Sequence, residues 1–129
     1  MENTVNTKSR PVHLDLTRMK FPPMAIVSIM HRVSGVLLFL LLPLALYLLH
    51  TSLQSQITFT HLHLTLALPE VRFLLWVLIS AVAFHFFAGI RHMLMDCGIA
   101  ETLETARVTA YLVMFLGVIV MIFAGVWLC

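Results

Sequence analysis

Four residues share one narrow stripe of a helix. At ~100° per residue, His85, Gly89, His92 and Asp96 fall at about 0°, 40°, −20° and 20°. His85 lies roughly 10 Å further along the axis than His92, at about 1.5 Å per residue. The stretch from Phe73 to Ile90 around it holds no Asp, Glu, Lys or Arg. An imidazole in such surroundings needs a partner for its ring nitrogens. A metal is one partner, and a haem iron is the one that best suits a helix bundle. Gly89 would let a flat macrocycle or another helix approach the backbone. The competing reading is that His85 hydrogen-bonds a neighbouring helix, and spacing alone weighs the two equally.

A second cluster comprises Ser28, His31, Arg32, Ser34 and Gly35. Ser28, Arg32 and Gly35 fall within about 60° of one another on a helix, with His31 flanking. Arg32 either snorkels to an interface or holds an anion or polar ligand, such as haem propionates or a quinone carbonyl. A six-coordinate haem needs two axial ligands, and His85 supplies one. His92, on the same helix, cannot reach the opposite ring face. Either His31 completes the site or another chain does, and three helices make a thin wall round a macrocycle, so a partner subunit is expected.

The elements that must position these groups follow from composition. The chain has 129 residues, 60% of them apolar and 11% charged, with a mean hydropathy of +0.98. Ordinary soluble domains run at about 45–50% apolar and about 25% charged. Disorder is excluded by the hydrophobicity. Nucleic-acid binding is excluded by a net charge of only +2. A soluble enzyme would lack the polar residues to cover its surface. What remains is an integral membrane protein.

Charge-free runs cover Val33 to Pro69, the 18 residues from Phe73 to Ile90, and the 22 from Val108 to Cys129. A helix needs about 20 residues to cross the hydrocarbon core. The expected fold is all-α with three transmembrane helices at approximately 24–50, 71–96 and 107–128, forming one anchor domain over 24–129 behind a polar segment at 1–23. Pro22-Pro23 suits the entry of the first span, and Pro43 should bend it. Lys8, Arg10, Arg18, Lys20, Arg91 and Arg107 fall on one side and only Arg72 on the other, which places the N-terminus in the cytoplasm. Tyr47, Trp76 and Trp127 fall near one interface, as an aromatic belt does. No cleavable signal or Arg-rich transit peptide is expected, so the chain belongs in a bacterial inner membrane.

Other residues carry less. Cys97 and Cys129 belong to opposite faces, about 30 Å apart, beyond disulfide reach, and are expected to be buried thiols. His61 and His63 are two apart in the first loop and make a poor metal site. His50 is interfacial and His13 solvated. Gly117, Ala124 and Gly125 share a face of the third span, a seam for close helix packing. Leu62, Leu64, Leu66 and Leu68 alternate in the first loop, a pattern too short for a strand.

Two of these stretches carry a resemblance. Ser28-Ile-Met-His31-Arg32-Val-Ser34-Gly35 resembles the SxxHRxSG motif of the cytochrome b subunits of succinate dehydrogenase. His85-Phe-Phe-Ala-Gly89-Ile-Arg91-His92-Met-Leu-Met-Asp96 resembles that family's second motif, HxxxGxRHxxxD. Arg10-Pro11 and Lys20-Phe21-Pro22 match the usual lead-in. The likeness covers roughly residues 10–35 and 80–98; the first loop and the third span add only topology.

The resemblance implies a membrane anchor, not itself catalytic, in a heterodimeric haem-binding bundle. His85 would be an axial ligand of one haem b, shared with a second small anchor subunit that supplies the other histidine. His31, Arg32 and His92 would lie near the propionates. Ser28 and Arg32 would line the ubiquinone site, with Asp96 close by. A flavoprotein and an iron–sulfur subunit on the cytoplasmic side would oxidise succinate and pass its electrons to quinone. The alternatives are the haem b anchor of another respiratory oxidoreductase, such as a fumarate reductase, hydrogenase or formate dehydrogenase, and a small transporter or channel subunit. The bare outer halves of the spans argue against a polar path across the membrane.

Overall fold

The computed structural model describes residues 20–129. Lys8, Arg10, Pro11, His13, Arg18 and the rest of 1–19 lie outside them. The described residues form four helices and no strand: α1 (Pro23–Gln54), α2 (Gln56–Leu66), α3 (Pro69–Asp96) and α4 (Leu103–Leu128). Three of them, α1, α3 and α4, are long and apolar enough to cross a membrane.

Local chemistry sets the helix starts. Pro23 and Pro69 open α1 and α3, where the missing N–H costs no hydrogen bond. Glu70 and Glu104 lie in the first turns of α3 and α4, complementing the positive helix ends. Thr102 caps α4, its hydroxyl accepting from the Thr105 N–H. The α3–α4 connection turns through Gly98 at φ 77° and Ala100 at φ 64°. Pro43 lies within α1, and the helix continues through it.

The first loop contains a helix that hydrophobic alternation conceals. Ser55 Oγ accepts from the Thr58 N–H, while Thr58 Oγ1 accepts from the Ser55 N–H. This reciprocal cap starts α2. Of the alternating leucines only Leu62 is buried.

Each spanning helix runs antiparallel to the one before it in the chain, so α1 and α4, which also touch, run parallel. On the α1–α3 seam, Gly35 meets His85 while His31 meets Gly89. On the α3–α4 seam, Phe84 meets Gly117 and Trp76 meets Gly125. The small residues of α4 are therefore a packing seam, with Ala124 buried beside them. Trp76 adds a hydrogen bond, its Nε1–H donating to the Met121 carbonyl at 2.9 Å. A core of Val27, Phe84, Ala88, Ala110 and Val113 holds the three helices together at the end where α1 begins. Toward the other end, an apolar cleft of about 420 Å³ opens between them, running from Ser34 to Met121. Both cysteines are free and exposed, not buried as expected, because each stands one residue beyond a helix end.

Candidate functional site

The antiparallel pairing of α1 and α3 brings both polar clusters to one end of the bundle. Their meeting point is a pair of imidazoles. The rings of His31 and His85 have centroids 4.2 Å apart at an interplanar angle of 34°. His92 stands further out, its ring 6.2 Å from that of His31.

Two glycines make this possible. A Cβ on Gly35 would lie 3.2 Å from His85 Cε1, and one on Gly89 would lie 3.7 Å from His31 Nε2. The His85 imidazole therefore occupies space that a side chain at position 35 would contest, while one at position 89 would make ordinary contact with His31. Gly89, expected to admit a macrocycle or a helix, admits α1.

The two ring nitrogens of His85 have different fates. Nδ1 lies 3.1 Å from Ser34 Oγ and 3.2 Å from the His31 carbonyl oxygen. Ser34 in turn donates its hydroxyl proton to that carbonyl at 2.8 Å. Nε2 has no hydrogen-bond partner among the described residues. The hydrogen bond to the neighbouring helix thus takes up only one of the two ring nitrogens. His31 Nε2 is buried and has no hydrogen-bond partner among the described residues.

The separation of the two rings bears on ligation. Two histidines binding one metal from opposite sides place their nitrogens about 4 Å apart with the metal between, at ~2 Å per bond. Ring centroids must then stand further apart still. At 4.2 Å between centroids, nothing fits between His31 and His85. His31 does not oppose His85 across a macrocycle in this arrangement.

The remaining polar residues lie on the outer surface at the same end. Ser28 and Arg32, one turn apart on α1, are both exposed, as are His92 and Asp96 on α3. Asp96 is the last residue of α3. His50, His61 and His63 belong to the opposite end of the bundle, with His50 bonded to Gln54 and the ring of His63 edge-on to Phe59.

One motif residue does work that sequence reasoning gave only to orientation. Arg91 is 8% exposed. Its Nε–H donates to Thr109 Oγ1 and its Nη2–H to the Ala106 carbonyl, both at 3.1 Å. The signal was its helical phase, about 120° from the His85–Asp96 stripe, which turns it toward α4.

Residues 6–124 match the sequence model of the succinate dehydrogenase/fumarate reductase transmembrane subunit family. The chain belongs to that family. It is also 49% identical, over 120 residues, to the succinate dehydrogenase cytochrome b556 subunit of Coxiella burnetii (strain RSA 493 / Nine Mile phase I). That match covers 92% of this chain and 96% of the relative. Membership makes the chain a transmembrane anchor of such a complex rather than its catalytic flavoprotein. The paired histidines, the glycines beneath them and Arg91 are therefore features of a family member's membrane domain.

Proposed function

We propose that this chain helps bind haem b through His85 and forms part of a ubiquinone-reduction site with Ser28 and Arg32, within a succinate dehydrogenase. The observation that carries the proposal is the state of His85. Its Nδ1 is held by α1, and its Nε2 is left without a partner among the described residues. A ligating histidine has this character, one nitrogen fixed by hydrogen bonding and the other free for the metal. The name of the Coxiella relative, a cytochrome b556 subunit, agrees with the donor type. The residues present fit a haem. Bound there, haem supplies a one-electron carrier in low-dielectric surroundings.

A companion anchor subunit would supply the second histidine that holds the haem. The 4.2 Å separation of the His31 and His85 rings, too short to admit a macrocycle between them, supports this. His31, Arg32 and His92 surround the edge of the site where anionic propionates would find cationic or hydrogen-bonding partners.

Quinone reduction takes up two electrons and two protons. The Ser28 hydroxyl orients a quinone carbonyl by hydrogen bonding. The Arg32 guanidinium does not deprotonate, and stabilises negative charge that develops on the quinone oxygen. Asp96, the last residue of α3, is assigned to this edge by its position in the motif. The Lys and Arg bias supports a cytoplasmic location for this end of the bundle, in a bacterial inner membrane. The iron–sulfur and flavoprotein subunits dock on that face.

The test is the reduced-minus-oxidised spectrum of the complex purified with this chain. The parent complex shows a b-type haem band, and His85→Ala removes or shifts it. An unaltered band in His85→Ala removes the basis of the proposal.

A further inference from the structure

Ser34 belongs to the first motif, yet no role follows for it from the motif's resemblance or from the quinone chemistry. It is a serine in a membrane-spanning helix and only 5% exposed. Its oxygen is one corner of a triangle. The hydroxyl proton goes to the His31 carbonyl at 2.8 Å, and the same oxygen lies 3.1 Å from His85 Nδ1. The third side joins Nδ1 to the His31 carbonyl oxygen at 3.2 Å.

The position of the His85 proton can be inferred from this triangle. A carbonyl oxygen is only an acceptor. A bare Nδ1 lone pair facing it at 3.2 Å would be repelled. The Ser34 proton does not relieve the conflict, because the shorter Ser34 contact commits it to the carbonyl. Nδ1 must therefore carry a hydrogen, donated to the Ser34 oxygen and the His31 carbonyl together. With Nδ1 protonated, a neutral His85 has its lone pair on Nε2, the nitrogen without a partner among the described residues.

We propose that Ser34, together with the His31 main-chain carbonyl, is a positioning residue that selects the Nδ1–H tautomer of His85 and tunes it as a haem ligand. The inference rests on His85 being the ligand. An acceptor on the far nitrogen orients the ring and raises its basicity. A more basic ligand favours the oxidised iron. The ring has little freedom otherwise, since Gly35 lies directly beneath it. Two acceptors on α1 therefore connect the geometry of one helix to the electronics of a ligand on another.

The experiment compares intact membrane complexes carrying Ser34→Ala, Ser34→Thr and His85→Ala. Two quantities are read: haem per complex, and the haem midpoint potential by redox titration. Ser34→Ala is expected to raise the midpoint potential, giving a several-fold higher ratio of reduced to oxidised haem at a fixed applied potential, or to weaken haem retention by about tenfold, at the low end for such partners. Ser34→Thr keeps the hydroxyl and is expected to stay near the parent in both. A Ser34→Ala complex that matches the parent overturns the proposal. So does a downward shift, equal shifts in Ala and Thr, or haem loss from both, since each separates the effect from the hydroxyl. His85→Ala is the independent control. If it leaves the haem band unaltered, the ligand assignment itself fails, whereas a lost band beside a parent-like Ser34→Ala refutes the role of Ser34 alone.

Discussion

The imidazole of His85 lies on the backbone of Gly35, so closely that a single added Cβ would come within 3.2 Å of its Cε1. The reciprocal relation on the same seam is looser, with 3.7 Å between a Cβ at Gly89 and His31 Nε2. Both glycines occur in the motifs, and both look alike in sequence. The structure separates them, because His85 is pinned at Nδ1 and has nowhere to retreat.

The two alanine substitutions should therefore differ. Gly35→Ala displaces a hydrogen-bonded ring and is expected to shift the haem band or midpoint potential. Gly89→Ala makes an ordinary van der Waals contact and is expected to leave the spectrum near the parent's. Equal spectra for both variants would show that the spacing on this seam does not govern the site.

Arg32 is exposed and makes no side-chain hydrogen bond among the described residues. Arg32→Leu is expected to lower quinone reduction by about 10²-fold, as for loss of one electrostatic stabiliser. Succinate oxidation with a soluble dye acceptor should be unaffected in the same preparation. A parallel fall in both activities would point to faulty assembly and contradict a role at the quinone.

Arg91 serves the fold. It joins α3 to the first turns of α4 through Thr109 and the Ala106 carbonyl. Arg91→Leu is expected to cost about 1.5–3 kcal/mol, the range for a hydrogen bond made by a charged group. Arg91→Lys, which cannot span both acceptors, should fall between. Thermal inactivation of the complex in detergent measures this, and a Leu variant as durable as the parent would refute the assignment.

Sequence and structure agree most where lipid imposes the rule. Long charge-free runs have to be helices, because a bilayer core offers no other partner for backbone N–H and C=O groups. The His85–Asp96 stripe was equally legible, since helical phase alone places its members together. The contacts between helices were not. Nothing in the spacing tells that His31 stacks on His85 rather than opposing it, or that Ser34 reaches across to Nδ1. Those depend on the register of α1 against α3, which Gly35 and Gly89 set. The helix α2 was hidden for a different reason: four leucines in alternation carry no helical period, while the Ser55–Thr58 cap that starts a helix is a subtler signal.

The central claim is that His85 Nε2 binds the iron. A His85→Gly variant of the purified complex, titrated with free imidazole while its haem spectrum is recorded, tests it most directly. The account requires the parent band to be lost or displaced in the variant and restored as imidazole fills the vacated space above Gly35. A His85→Gly complex that keeps the parent band with no imidazole added would contradict it.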